Sequence, residues 1–455
     1  MQTLSSPHHL HQIGILGMGL SGSAVLERAQ SLGIKTVCWD DRQAEDSFIS
    51  PEYWPWHELD AVIISPGIPH LHPAPHPAAQ MARDNNVELI SEIEFALRTG
   101  HGRDGKGPSA QFVVVTGTNG KSTTTALLGH LMDVAGYPHA VGGNIGRPLS
   151  SLPVLPEGGV YLIEMSSYQL ETTPSLNSDI SILLNITPDH LDRHGGMTGY
   201  IHAKARALSA VREDGLIITG DDDLCADART HAARTVDNAG TAAQIVITDA
   251  LLAEEMSRGA QMQNPALQGT HNTQNCVAVR MAGLRLGISE DVIDRAISDF
   301  SGLAHRMQPV GEMGGIRFIN DSKATNGEAA ARALDSFTNI YWCAGGLAKD
   351  DGITACLPYL DNVRRAYFYG RSGADFAKAA QNQLPCSVHH TLDDAVGKAL
   401  ADASEASGTQ NIILLSPAAA SFDQFTSFEA RGRHFCHLAQ TFIQAEAEKS
   451  GGIAC

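Results

Sequence analysis

The stretch Val113–Leu128, VVVTGTNGKSTTTALL, decides how this chain is read. Its valine run suits a strand buried on both faces, and the residues after the glycine turn suit a helix. Such a turn lets backbone N–H groups converge on an anion at the helix N-terminus, where the dipole adds about half a positive charge. Gly117, Thr118, Asn119 and Gly120 form the turn, Lys121 can reach the outer phosphates, and Ser122 or Thr123 offers a hydroxyl to Mg²⁺. The spacing is shorter than the common phosphate loop: the position where that loop has its first glycine is Val115. The form to explain is G-x-x-G-K-[ST]-T.

Outward from this stretch the chain divides into three blocks. Residues 1–104 alternate apolar strands (Ile13–Leu16, Val37–Trp39, Ala61–Ile64, Val87–Ile90) with helical stretches, and the polar, glycine-rich 101–110 reads as a linker. Residues 105–303 carry the quoted stretch and further strands at Val160–Ile163, Ile180–Leu184, Leu216–Ile218 and Ile245–Ile247. Residues 304–455 alternate again, with strands at Ile316–Ile319, Ile340–Cys343, Ala366–Tyr369 and Ile412–Leu415. Strands separated by helices predict α/β domains with parallel sheets, whose ligands lie beyond the carboxyl ends of the strands.

Composition narrows the function. With 455 residues and 44 glycines, the chain has the size and character of a multidomain α/β enzyme. A formal net charge of −18, with no basic run, argues against nucleic acid or an anionic membrane as main partner. The eight cysteines are scattered without a C-x-x-C pair, which suits a reducing cytoplasm and no zinc site. The N-terminus lacks the pattern of a signal peptide, and no apolar run approaches the roughly 20 residues that span a bilayer.

Residues just after strands carry the candidate chemistry. In VYLIEMSSYQLE, Glu164 stands at a strand end, where it can face a metal or cap the next helix. NITPDHLDRHGG gathers Asp189, His190, Asp192 and His194, as a site or as a solvated turn. Lys204 is the single lysine between Lys121 and Lys323; it is either a surface charge or an amine that adds CO₂ to become a carbamate, which can ligate a metal. Gly17-x-Gly19-x-x-Gly22, with Asp40 after the second strand, matches a dinucleotide fingerprint. That motif suits a nicotinamide-dependent oxidoreductase, or equally any protein holding the diphosphate of a nucleotide sugar. In the third block Lys323 and Lys349 suit anions such as a carboxylate, although Lys349 beside Asp350 and Asp351 also reads as a solvated loop charge.

Taken in order, GMGLSG, TGTNGKST, GGNIG, EMSSYQLE, NITPDHLDRH, HNTQN, AHR, NDSKATN and SPAAASFDQF resemble the Mur ligases of peptidoglycan synthesis across all three blocks. The short phosphate loop is that family's own form. The N-terminal glycine motif and the SFDQFTSFEARG tail look like the glutamate-adding member. The resemblance implies a Rossmann-like N-terminal domain for a UDP-linked substrate, a P-loop-type central ATPase domain and a Rossmann-like C-terminal domain for glutamate. It implies that Leu20, Ser21, Asp40, Arg42, Ser65 and Asn144 contact the UDP-substrate. ATP would be held by Gly117 to Thr123 with Asn272, Asn275, Arg306, Asp321 and Lys323. Ser122, Glu164, His190 and Lys204 as carbamate would serve two Mg²⁺ ions, with Lys121, His190 and Lys204 the catalytic set. Thr325, Lys349, Ser421 and Phe428 would fix glutamate. The implied activity is ATP-dependent addition of D-glutamate to UDP-N-acetylmuramoyl-L-alanine through an acyl phosphate, by a cytoplasmic monomer. L-Glutamate is the alternative amino acid, since no residue named here excludes it.

Overall fold

A computed structural model describes residues 10–42, 47–102, 110–235, 242–267, 269–348, 352–381, 383–406 and 410–451. The chain forms two compact units, 1–300 and 301–455. Among the described residues, no helix is long and apolar enough to cross a membrane.

The first unit holds two sheets. Strands β1 (Gln12–Leu16), β2 (Lys35–Trp39), β3 (Ala61–Ile64) and β4 (Glu88–Ile90) pair in parallel in the order β2-β1-β3-β4. The second sheet comprises β5 (Gln111–Thr116), β6 (His139–Gly143), β7 (Val160–Glu164), β8 (Ser178–Leu183), β9 (Val211–Gly220) and β10 (Ala243–Ile247), in the order β10-β9-β8-β5-β7-β6. Its pairs are parallel as well. The valine run makes β5 its middle strand. Val113 and Val115 pack with Leu127, Leu128 and Leu131 on one face, while Phe112 and Val114 pack with Tyr161 and Ile163 on the other. A strand covered on both sides needs this unbroken apolar sequence.

The expected blocks 1–104 and 105–303 lie together in this unit, and buried polar contacts explain why. Ser91 Oγ lies 2.7 Å from Thr173 Oγ1, the Ser175 N–H donates to Glu94 at 2.9 Å, and the Ser91 N–H donates to Thr172 O at 2.8 Å. Of the expected linker 101–110, residues 103–109 lie outside the described residues. His101 departs from that expectation: it is buried, with Nε2 at 3.0 Å from Leu152 O. Within 220–265, where the sequence offers no motif, Glu255 is buried and receives two hydrogen bonds from the buried Arg280.

The second unit has six strands: β11 (Gln308–Met313), β12 (Ile316–Asn320), β13 (Ile340–Gly345), β14 (Val363–Tyr369), β15 (Cys386–His389) and β16 (Asn411–Leu415). Their order is β11-β12-β16-β13-β14-β15. Ile412 and Leu414 face one core, and Ile413 and Leu415 the other. Fully parallel pairing fails at one edge, where β11 runs antiparallel to β12. Only Gly314 and Gly315 join them, with φ of 54° and 80°, and a two-residue turn of that kind makes a hairpin rather than a crossover.

Candidate active site

In the first unit the site grows from the carboxyl end of β5. The helix Lys121–Ala135 starts at Gly120 with φ 85° and without a side-chain cap. A side chain at Gly120 would also collide with Asn275, since a Cβ there falls 2.5 Å from Asn275 Oδ1. Asn275 in turn donates to Asn272 Oδ1 at 3.0 Å, so these two asparagines of HNTQN lie beside the glycine loop. Ser122 and Thr123 are buried at the head of the helix.

Three cations or cation-forming groups gather here. Lys121 Nζ donates to the carbonyls of Gly117 (2.9 Å) and Thr118 (2.8 Å). Lys204 Nζ donates to the same Gly117 carbonyl at 2.8 Å. Far from being a surface charge, Lys204 is 1% exposed. Burial, together with the Lys121 charge, pushes its amine well below the ordinary lysine range, toward the neutral form. His190 follows β8 in a left-handed conformation, φ 53°; its side chain is 53% exposed, and partial desolvation lowers the imidazole pKa against the raising effect of Asp189. Lys121, His190 and Lys204 line one cavity of about 240 Å³ with Pro66, Asn144, Ser167, Tyr168, Asp189 and Tyr200.

Glu164 ends β7 beside this cavity. Its Oε1 accepts from Asn144 Nδ2 at 2.8 Å, while Oε2 is buried with no hydrogen-bond partner among the described residues. A buried bare carboxylate oxygen is costly in isolation and suits a cation. Among the described residues no three His, Cys, Asp or Glu side chains form a metal cluster by themselves, so a Mg²⁺ here would draw on phosphate oxygens and a modified Lys204 as well.

The N-terminal sheet presents the fingerprint turn. Gly22 permits a close approach, because a Cβ there would lie 2.0 Å from Gly17 O. Ser65 Oγ donates to that same Gly17 carbonyl at 2.9 Å. Asp40 accepts from the N–H groups of Met18 (2.6 Å) and Arg42 (2.8 Å), which ties it to the turn. Leu20 is 79% exposed and Ser21 half-buried at the start of the helix Leu20–Ser31. Arg42 is exposed.

In the second unit Asp321 follows β12, and burial raises its carboxyl to about 7 despite hydrogen bonds from Ser416 Oγ (2.8 Å) and the Met307 N–H (3.1 Å). Lys323 Nζ lies 5.8 Å from the centre of the Phe428 ring. Ser421 is buried, its Oγ without a hydrogen-bond partner among the described residues. Arg306, just before β11, and Thr325, after β12, are half-buried; the antiparallel pairing of Gln308 with Asn320 brings both segments to the carboxyl end of β12. Lys349 falls outside the described residues.

Several residues that organise the site escape a reading of motifs. Tyr200 OH lies 3.0 Å from Thr118 Oγ1, its ring centre 4.7 Å from Lys204 Nζ, and burial raises its phenol to about 12. Asn185 Oδ1 accepts from the Asn119 N–H at 2.9 Å, and Gln274 Nε2 donates to Leu184 O at 2.6 Å. Arg431 is wholly buried and donates to Ser322 Oγ, Ser322 O, Gly345 O and Ala419 O. The signal for Tyr200 was its four-residue spacing from Lys204; Asn185, Gln274 and Arg431 sit inside quoted or neighbouring motifs with nothing to mark their partners.

Known proteins match along this whole arrangement. The Mur ligase middle domain matches residues 115–283, and the glutamate ligase domain of Mur ligases matches residues 305–419. UDP-N-acetylmuramoylalanine–D-glutamate ligase of Paramagnetospirillum magneticum is 40% identical over 453 residues, covering 95% of this chain and 97% of the relative. The protein of that name from Caulobacter vibrioides is 40% identical over 447 residues, covering 93% and 94%. The fold is similar to UDP-N-acetylmuramate-alanine ligase of Thermotoga maritima, with a TM-score of 0.58, 16% identity and coverage of 94% and 99%. It is also similar to MurF ligase of Thermotoga maritima solved with ADP, with a TM-score of 0.55, 13% identity and coverage of 98% of both chains. With two domain matches in order and close to 40% identity along nearly its full length, the chain belongs to the Mur ligase family.

Proposed function

We propose that the chain joins D-glutamate to UDP-N-acetylmuramoyl-L-alanine at the expense of ATP, a cytoplasmic step of peptidoglycan precursor synthesis carried out by a monomer. The observation that carries this reading is the convergence of Lys121, His190 and Lys204 on one cavity, in a chain 40% identical to a relative of that name. Residues 1–104, a Rossmann-like domain, take the UDP-substrate through Leu20, Ser21, Asp40, Arg42 and Ser65, helped by Asn144. Residues 105–303, a P-loop-type ATPase domain, take ATP, which Arg306, Asp321 and Lys323 also contact. Residues 304–455, again Rossmann-like, take glutamate through Thr325, Lys349, Ser421 and Phe428.

The chemical problem is that a carboxylate is a poor electrophile. Transfer of the γ-phosphoryl group to the alanyl carboxylate gives an acyl phosphate and ADP. The glutamate amine then attacks the carbonyl carbon, and phosphate leaves. Lys121 offsets charge that develops on the transferring phosphoryl oxygens. The neutral Lys204 amine adds CO₂ and loses a proton, which turns a buried amine into a carboxylate-like ligand. Glu164, Ser122, His190 and this carbamate would hold two Mg²⁺ ions. Such ions would supply charge neutralisation of the phosphates without proton transfer. His190, its pKa lowered by partial desolvation, would serve as a neutral ligand.

ADP release measured with the UDP-substrate and a panel of amino acids tests the function. D-Glutamate should give the fastest release; preference for L-glutamate or D-aspartate overturns the amino-acid assignment, and no release with any amine overturns the ligase reading. Ser421 provides a test of the glutamate site. A hydrogen bond from a neutral donor to a carboxylate contributes about 1.5–3 kcal/mol, so Ser421→Ala should raise the KM for glutamate about tenfold or more while leaving that for ATP unchanged.

A further inference from the structure

Ser167 opens the short helix Ser167–Glu171 and lines the cavity that holds Lys121 and Lys204. Its Oγ lies 2.9 Å from His194 Nε2, and His194 Nδ1 lies 3.1 Å from Glu171 Oε1. Ser167 and His194 are both buried, and the His194 ring stacks on Tyr168 at 5.2 Å between centres. One helical turn separates Ser167 from Glu171, so a single imidazole can bridge them.

The chain of bonds has a direction. A carboxylate only accepts, so in the contact with Glu171 Oε1 it is His194 Nδ1 that donates. An imidazole that donates from Nδ1 to this carboxylate accepts at Nε2, and the Ser167 O–H then donates to it. The lone pairs of Ser167 Oγ are left for the cavity. Lys121 offers donors to any carboxylate or phosphate that enters; Ser167 instead offers an acceptor, which suits an N–H.

We propose that Ser167 Oγ accepts the N–H of the amide linking the sugar's lactoyl group to alanine, with His194 and Glu171 positioning residues that act through it. This rests on the function proposed above. That N–H is separated from the reacting carboxylate by a single carbon, so holding it aims the carboxylate at Lys121.

The experiment compares the UDP-substrate with its depsipeptide analogue, in which an ester oxygen replaces the amide N–H. One neutral hydrogen bond corresponds to roughly a three- to tenfold effect. The parent enzyme should show a KM for the analogue higher by that factor, and Ser167→Ala should not distinguish the two compounds. His194→Phe keeps a ring on Tyr168 and deletes both nitrogens; it should lose the same discrimination. The double variant should be no worse than Ser167→Ala alone, because His194 acts through the serine. Unchanged KM for ATP confirms that the folded site persists. The proposal is overturned if Ser167→Ala still discriminates against the ester, or if the two substitutions add. Absence of ADP release by the parent with the amide substrate would instead count against the ligase function itself, so the two failures are told apart.

Discussion

Replacing Lys121 by alanine is expected to slow turnover at least about 100-fold, the scale of losing one preorganised electrostatic donor to a transition state. The ammonium sits at the helix head, on the carbonyls of Gly117 and Thr118, where it can follow a phosphoryl group as charge moves between oxygens. Affinity for the UDP-substrate should stay near that of the parent, because its nucleotide contacts are assigned to the fingerprint turn of the other sheet. Rapid-quench measurement of ADP formation, beside equilibrium binding of the UDP-substrate, separates the two effects. Near-normal turnover in this variant would remove the phosphate-loop assignment.

Lys204→Ala should cost a comparable factor for a different reason. A fully buried ammonium beside a second lysine is unfavourable, and the lowered pKa leaves a neutral amine that can react with CO₂. In the parent enzyme, ¹³C-labelled bicarbonate should produce one slowly exchanging carbamate signal that is absent from the variant. Acetate or formate should restore part of the variant's activity by supplying the missing carboxylate. An active parent without the signal would show that the lysine works unmodified.

Much of this site was legible because its chemistry is written at strand ends. Glycine spacing marked the phosphate loop, and the lone lysine in a long stretch marked Lys204, whose burial the sequence could not give. The strands missed share a physical cause. β6 and β15 are edge strands, and the sequence of β11, QPVGEM, carries a proline and a glycine. Edge strands need no continuous apolar run and so leave little pattern. Partner choice was equally hidden: Glu255 and Arg280 are ordinary surface residues in sequence, and only the packing of their helices buries them as a pair. The Ser167–His194–Glu171 chain depends on a tertiary approach across 27 residues. The N-terminal glycine fingerprint suits any diphosphate, so its meaning came from the family and not from its own residues.

Arg431 carries a consequence for how the protein is made. Its guanidinium binds Ser322, 109 residues earlier, along with the carbonyls of Gly345 and Ala419. The loop after β12 therefore lacks this partner until a ribosome has added that further length, and the loop after β13 until it has added 86 residues. At about 5–20 residues per second, the longer interval lasts roughly 5–20 s. During it these carbonyls lack the guanidinium that joins the two loops. A nascent chain arrested before residue 431 should accordingly expose these loops to protease, and release of the following helix should close them.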